Sequence, residues 1–434
     1  MSKSFHIETL GCKVNQYESE AIEEMLLEKG FEKKEKNADI YIINTCTVTN
    51  MSDRKSRQTI RKAKRENPKA FVAVIGCYSQ VKPEEVMEIE GVDVVLGSRN
   101  KEKVVEICEE YYKNNVDFNQ NKVESFYSGE KIENLNISSQ NDMTRAYIKI
   151  QDGCNMFCSY CLIPYARGPV SSRNLQEILD EAKRLSQNGY KEIVITGIHV
   201  ASYGIDLKED ISLIDVLEGI SKIENVKRIR LSSMEPRTIT EDFLKRILKL
   251  EKVCDHFHLS LQSGSDKILK LMNRKYDKKM YLEKVDLIRK YMPNAAITTD
   301  IIVGFPSEND DDFLETVDFI NQVKFSRVHI FKYSKREGTR AFNFPNQVDG
   351  LTKTKRSKKL SEIEHIISNN YLKKQIGNTL SVLFEEKSDI EGFESGYSTN
   401  YIRVNVKSDK NLKNKICDVK ILDTKNGYLL GKVI

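Results

Sequence analysis

Three cysteines stand in the run Asp152-Gly153-Cys154-Asn155-Met156-Phe157-Cys158-Ser159-Tyr160-Cys161, a C-x3-C-x2-C spacing directly after the apolar stretch Ala146–Ile150. A fold that carries this loop must bring three soft sulfur donors to one point, which is what ligation of an iron–sulfur cluster requires. No fourth cysteine lies nearby, so one iron of a 4Fe–4S cluster would stay open. An open iron points to a cluster that does chemistry rather than one that only carries electrons. A zinc site would more often use two C-x2-C pairs or add histidines at matching spacing, and no histidine lies close to this loop.

The rest of the chain reads as a carrier for such a site. At 434 residues it has room for about three domains, and nine cysteines in that length are not a disulfide framework. A net charge of +5 permits nucleic-acid binding without arguing for it. No apolar signal region or membrane-length stretch is present, so a reducing cytoplasm and no membrane are expected. In the first hundred residues, apolar runs at Phe5–Leu10, Ile40–Ile43, Phe71–Ile75 and Val92–Leu96 alternate with helical patterns at Glu18–Lys29, Ser52–Arg65 and Glu84–Glu90. That alternation predicts a parallel α/β domain over 1–113. Residues 114–140 are rich in Asn, Ser, Lys and Glu and read as a linker or crossing segment.

A second alternation follows over 141–372. Six predicted strands, at Ala146–Ile150, Glu192–Gly197, Arg228–Ser232, His256–Leu261, Ile297–Val303 and Arg327–Tyr333, are separated by helical stretches. Six units suit a partial (β/α)6 barrel, with the cysteine loop on its carboxyl edge, where ligand sites collect. The long basic helical segment Leu351–Gln375 closes this domain, and the tail, 373–434, reads as a small all-β barrel. The fold class is therefore an α/β multidomain chain.

Cys12, Cys46 and Cys77 each follow a predicted strand of the first domain, one strand–helix unit apart. Neighbouring strands of a parallel sheet lie about 5 Å apart and end on one edge, so three distant cysteines can converge. A lone cysteine there would read as a small buried hydrophobe. Three at one structural phase, each beside Gly or Thr, read as a second 4Fe–4S site. Cys108, Cys254 and Cys417 fall in ordinary helix or strand patterns and read as structural.

With both sets in view the chain resembles the methylthiotransferase family of radical S-adenosylmethionine (SAM) enzymes, over an amino-terminal methylthiotransferase domain, a radical SAM core and a carboxy-terminal TRAM domain. The runs Thr9-Leu10-Gly11-Cys12-Lys13-Val14-Asn15-Gln16, Asn44-Thr45-Cys46-Thr47, Gly76-Cys77-Tyr78-Ser79-Gln80 and Ile163-Pro164-Tyr165-Ala166-Arg167-Gly168 look like the branch acting on threonylcarbamoyladenosine in tRNA. The resemblance implies attachment of a methylthio group to carbon 2 of that base at position 37. A cluster on Cys154, Cys158 and Cys161 would cleave SAM to start a radical, and one on Cys12, Cys46 and Cys77 would hold or deliver sulfur. It further implies a reductant such as flavodoxin or ferredoxin and a sulfur donor. The rival branches act on isopentenyl-adenosine in tRNA or on an aspartate of a ribosomal protein. A non-catalytic iron–sulfur RNA-binding protein is the alternative of another class.

Thr196, Gly197 and His199 follow the second barrel strand, and Glu235, Gln262, Ser263 and Asp300 follow or end later ones. By analogy these are candidate SAM contacts, and Asp300–Pro306 resembles the strand that packs against adenine. His256 and His258 share a strand face and read as satisfied core groups. For RNA, Arg54, Lys55 and Arg57, the run Lys353–Lys359, and Tyr397, Tyr401 and Arg403 in the tail combine positive charge or aromatic rings in the pattern expected for phosphate and base contact.

Overall fold

The computed structural model describes residues 3–114, 120–126, 132–133, 135–140, 144–388 and 390–434. Its first sheet is wholly parallel, in the spatial order Glu32–Lys33, Ser4–Thr9, Ile40–Thr45, Phe71–Gly76, Val94–Val95 and Gln120–Asn121. All residues of Ile40–Thr45 and Phe71–Gly76 are buried, as central parallel strands covered on both faces must be. Ile40, Ile42, Phe71 and Ala73 pack with Ile22 and Leu26 of helix Lys13–Glu28 on one face. Tyr41, Ile43, Val72 and Val74 pack with Ile60 and Ala63 of helix Asn50–Glu66 on the other. The helix expected at Glu84–Glu90 is the shorter Pro83–Met87, and a second short helix, Cys77–Val81, which the pattern does not predict, precedes it. Pro83 has no N–H to continue the first helix, and it holds Lys82 in a non-helical conformation.

Segment 114–140 lies partly outside the described residues. Where described, it supplies the sixth strand, and Leu135 and Ile137 are buried in the barrel's core. The Tyr17 hydroxyl donates to the Leu135 carbonyl at 2.8 Å, so the segment helps form the seam between the two α/β units.

In the second unit the strands Arg145–Asp152, Glu192–Gly197 and Arg228–Leu231 form one parallel ladder. His256–Leu259, Ala296–Val303 and Arg327–Lys332 form another. A bridge from Ile229 to Val253 connects them, and helices separate successive strands. This is the expected partial barrel. In the first strand Ala146, Ile148 and Ile150 pack outward on Ile178, Ala182 and Leu185 of helix Leu175–Gln187, each fully buried aliphatic side chain contributing about 1.5–3 kcal/mol. The alternate positions Tyr147, Lys149 and Gln151 face the other way, toward the amino-terminal unit and the cysteine loop.

Residues Thr379–Lys387, Phe393–Ser398, Arg403–Lys407, Tyr428–Val433 and Ile416–Lys425 close a five-stranded barrel. It docks at the starts of the central strands, where Arg228 and Arg230 donate to the Tyr397 and Thr399 carbonyls, both at 3.0 Å. This corrects one expectation from the tail. The Tyr401 ring lies 4.5 Å from the Arg230 guanidinium and 5.2 Å from the Tyr397 ring, under Arg145 as well. Both aromatics are thus engaged by the central domain rather than presented to a base, and Arg403 donates to Ser395 Oγ at 2.9 Å. Among the described residues no helix is long and apolar enough to cross a membrane.

Candidate functional site: two cysteine sets and the cleft between their loops

Strand register brings the first cysteine set together. Thr9 pairs with Asn44 and Thr45 with Gly76, so Cys12, Cys46 and Cys77 leave the same edge of three adjacent strands. A Cβ on Gly11, at φ +111°, would lie 2.8 Å from Cys46 Cβ, which puts the Cys12 turn directly against Cys46. Cys12 is exposed and caps the 16-residue helix Lys13–Glu28, while Cys46 and Cys77 are buried. Burial pushes the Cys77 thiol up to about 11, against the pull of the Arg167 guanidinium, and the neighbouring Cys12 and Cys46 raise it further. Three cysteines gathered at one sheet edge are a donor set suited to iron, which takes them as thiolates. A Cβ at Gly76, at φ +104°, would stand 2.6 Å from both Asn44 Oδ1 and the Thr45 carbonyl. Gly76→Ala is therefore expected to cost about 1–3 kcal/mol in urea unfolding and to lower the iron held after reconstitution.

The second set is held by a loop braced on three sides. Gly153, at φ +69°, turns the chain so tightly that a Cβ would collide with the Pro169 carbonyl. The Cys154 N–H donates to the Gly168 carbonyl at 3.0 Å, and the Cys161 N–H donates to that of Cys158 at 3.0 Å. Ser159 donates to Met272 and accepts from Ala341 through the backbone, at 3.0 and 2.7 Å. Burial raises the Cys161 thiol to about 12, with Cys158 and Cys154 adding to the rise. Arg274, which nothing in its sequence neighbourhood singles out, donates from Nη1 to Cys158 Sγ at 3.2 Å.

Between the two sets lies a buried ionic network. Glu18, Glu133 and Asp152 converge closely enough to suggest a cation site, but their charges meet those of Lys101, Lys149 and Arg167. Lys149 Nζ is 2.6 Å from Glu18, 2.7 Å from Asp152 and 3.2 Å from Glu133, and Arg167 Nη1 is 3.0 Å from Asp152. Three carboxylates balance three cations, so this is a weld between domains and not a metal centre. Burial alone would raise the Glu18 carboxyl, but Arg167, Lys101 and Lys149 together hold it down to about 2.

A cleft of about 260 Å³ lies between the residues that follow Cys46 and the loop around Cys161, the one cysteine of the six in its lining. Thr47, Val48 and Thr49, which follow Cys46 directly, form one wall, and Tyr160, Cys161, Gln262, Asp300 and Ile302 form the other. Arg336 fixes the first wall through Thr47 Oγ1 at 2.8 Å and Asp53 at 2.7 Å. The surrounding surface carries exposed apolar side chains, with Met51 at 69 %, Val48 at 57 %, Phe331 at 52 % and Phe157 and Tyr165 at 48 % exposure.

Of the other candidate residues, Gln262 and Asp300 reach this cleft. Thr196 is buried, and Gly197 and His199 border Gln151, whose Oε1 accepts the His199 N–H at 2.7 Å. Burial lowers the His199 ring to about 4, helped by Arg274 and Arg237, and among the described residues its buried Nε2 has no hydrogen-bond partner. Both Glu235 oxygens accept from Arg237 Nε, at 2.8 and 3.0 Å, and Arg237 in turn approaches Met156 of the cysteine loop. Ser263 turns away, its hydroxyl accepting the Ser265 N–H at 3.2 Å and facing Thr316. His256 Nε2 and His258 Nδ1 share Thr298 Oγ1 at 2.9 Å each, but the satisfied pair expected is only half realised: among the described residues the buried His256 Nδ1 has no hydrogen-bond partner, and His258 Nε2 stands 3.2 Å from Asp300. Cys108 is packed into the first core, and Cys254 is buried.

Beside exposed Cys12 a separate groove is lined by Gln16, Glu20 and Lys33. Burial raises the Glu20 carboxyl to about 7. A carboxyl whose folded pKa lies above its unfolded value favours folding at low pH and loses that contribution as pH rises from about 4.5 to 7. Glu20→Gln is expected to stabilise the protein by about 1–2 kcal/mol at pH 8 and to change little at pH 4, read from urea melts at the two pH values.

Comparison with known proteins agrees with this geometry. Residues 148–320 match the radical SAM superfamily, 4–97 the Uncharacterized protein family UPF0004, and 373–434 the TRAM domain. The chain is 41 % identical to the threonylcarbamoyladenosine tRNA methylthiotransferase MtaB of Bacillus subtilis (strain 168), across 99 % of this chain and 96 % of that protein. It is 38 % identical to a tRNA-2-methylthio-N(6)-dimethylallyladenosine synthase of Thermoanaerobacter pseudethanolicus, across 99 % and 92 %. In fold it is similar to the radical SAM methyltransferase TsrM of Kitasatospora setae, with a TM-score of 0.57 at 14 % identity over 76 % of this chain and 72 % of that one. With two cysteine sets, one in each α/β unit, and near full-length identity of this order, the chain belongs to the radical SAM methylthiotransferase family and is of the MtaB type.

Proposed function

We propose that this enzyme attaches a methylthio group to carbon 2 of N6-threonylcarbamoyladenosine at position 37 of tRNA. The observation that carries the reading is the shared cleft: the residues after Cys46 and the residues around Cys161, from separate domains, wall a single cavity. The family uses SAM and 4Fe–4S clusters, and Cys154, Cys158 and Cys161 are proposed to hold one cluster and Cys12, Cys46 and Cys77 the other. When bound, these groups would supply a carbon-centred radical that takes hydrogen from an unactivated C–H bond, the sulfur that replaces it and, from a second SAM, the methyl group on that sulfur.

The chain's own residues orient and enclose. Gln262, Asp300 and Ile302 line the cavity beside Cys161, while the neutral His199 ring, Thr196, Gly197 and Glu235 are the proposed SAM contacts at the barrel mouth. The apolar rim of Val48, Met51 and Phe331 suits a base and excludes water. Arg54, Lys55, Arg61 and Arg65 are exposed on the helix that begins at the cleft wall, a track suited to tRNA phosphates. Arg57 is instead taken up by Tyr78 and Glu85. In the Lys353–Lys359 run, Arg356 is buried against Glu308, whereas Lys355 and Lys358 remain exposed. We assign the work to units 1–113, 141–372 and 373–434, in the cytoplasm, with an external reductant such as flavodoxin or ferredoxin and a separate sulfur donor.

Lys332 lines the cleft and offers a cation to the carboxylate that threonylcarbamoyl carries and isopentenyl lacks. Lys332→Ala should raise KM for RNA bearing threonylcarbamoyladenosine about 10-fold, as loss of a charge-assisted hydrogen bond does, measured in steady-state assays. Nucleoside mass spectrometry of a strain lacking the gene tests the function itself. The 2-methylthio derivative of threonylcarbamoyladenosine should vanish, whereas loss of the isopentenyl derivative or of the ribosomal modification instead would overturn the substrate.

A further inference from the structure

We propose that Arg167 is a positioning residue for the Cys12, Cys46 and Cys77 centre, holding Cys77 Sγ and raising the reduction potential of the cluster bound there. This rests on the reading of those cysteines as cluster ligands. Arg167 is fully buried, six residues beyond Cys161 at the end of the short helix Ile163–Arg167. Its Nε donates to Cys77 Sγ at 3.2 Å. Nη1 donates to Glu18 and to Asp152 at 3.0 Å, and Nη2 to Asn15 and to Glu18 at 3.1 Å. These five contacts match the five N–H groups of a guanidinium. The next residue, Gly168, accepts the Cys154 N–H at 3.0 Å. Two consecutive residues therefore touch both cysteine centres.

If the guanidinium only neutralised buried carboxylates, Nε would have no need to face sulfur. A lysine carries the same charge, but its three donors sit on one nitrogen and cannot meet acceptors arranged around a planar fork. A cationic N–H aimed at a ligating sulfur stabilises the electron-rich reduced cluster and so raises its potential, the lever by which hydrogen bonds tune such centres. The other centre carries the same device in Arg274 on Cys158.

The test uses the full chain with Cys154, Cys158 and Cys161 replaced by alanine, so that one cluster remains after anaerobic reconstitution. Redox titration followed by EPR compares this parent with Arg167→Lys, Arg167→Gln and, as a control, Arg173→Gln. Arg173 is also buried, in an ion pair with Glu181, and its Nη1 donates to the Tyr17 hydroxyl and the Lys149 carbonyl rather than to sulfur. The expected result is a midpoint shifted to more negative potential in Arg167→Gln, by a smaller amount in Arg167→Lys, and not in the control. Loss of iron in the Arg167 variants with the circular dichroism of the parent would equally support the role. Unchanged midpoints, or unfolding of both Arg167 variants, would overturn it. A parent that binds no iron would instead overturn the reading of the three cysteines.

Discussion

A Cys46→Ala enzyme should cleave SAM at close to the wild-type rate yet form no methylthiolated nucleoside. The expectation follows from the division of the six cysteines between two sheet edges. Cys46 stands with Cys12 and Cys77 at the ends of the amino-terminal strands, whereas the loop that would bind SAM is braced by Gly168, Met272 and Ala341. Removing one thiol from the first set leaves two soft donors for a cluster that needs three, while the second loop keeps every contact it makes. The reciprocal variant, Cys158→Ala, should lose both 5′-deoxyadenosine and product. Each variant should retain about half of the wild-type iron, since each keeps one set of ligands. Chromatography with mass detection reads both small molecules from one reaction. Equal loss of 5′-deoxyadenosine in both variants would mean that the two centres are not separable in this way.

Glu18→Gln is expected to destabilise the protein by about 3–5 kcal/mol, the usual result of removing one partner from a buried ionic cluster. Glu18 is fully buried and bridges Lys101, Lys149 and Arg167. Without its charge, three buried cations face only Glu133 and Asp152. An exposed pair provides the contrast: Lys278 and Glu315, 3.3 Å apart at the surface, should yield less than about 1 kcal/mol on Glu315→Gln. The sign with pH is fixed by the lowered carboxyl. A depressed folded pKa contributes stability above the ordinary carboxylate range and loses it as pH falls toward about 2. Urea unfolding at pH 7 of the three proteins measures the difference, and a cost for Glu18→Gln as small as that of the surface pair would mean that the network does not weld the domains.

Much of the scaffold is legible in the chain because each β/α unit writes its own punctuation. The strand Glu192–Gly197 has the bounds that periodicity predicts, and the remaining central strands differ by only one or two residues at their ends. The cysteine phase is legible for the same reason, since each of Cys12, Cys46 and Cys77 follows a run patterned as a strand, fully buried in Ile40–Thr45 and Phe71–Gly76 and only partly so in Ser4–Thr9. The side chains that join distant elements are not. Arg167 meets Cys77 and Glu18, Arg274 meets Cys158, and Arg336 meets Thr47 and Asp53. Such pairs have no spacing that a periodic pattern could register. Polar residues at inward positions, such as Lys149 within the apolar stretch Ala146–Ile150, are a local trace of the network. Tyr401 shows the converse error: an aromatic beside positive charge looks like a nucleic-acid contact until the barrel supplies Arg145 and Arg230 to cover it. Ser263 and Gln262 are adjacent, yet only Gln262, at φ +74°, lines the cleft.

The most direct measurement incubates anaerobically reconstituted, dithionite-reduced protein and SAM with an anticodon stem-loop carrying either threonylcarbamoyladenosine or isopentenyl-adenosine. Digestion and mass spectrometry should then find the 2-methylthio derivative of threonylcarbamoyladenosine, accompanied by 5′-deoxyadenosine, and little product from the isopentenyl substrate. Conversion of the isopentenyl substrate in preference, or protein loaded with both clusters that forms neither 5′-deoxyadenosine nor product, would contradict the assignment of two cysteine centres to one methylthiolating site.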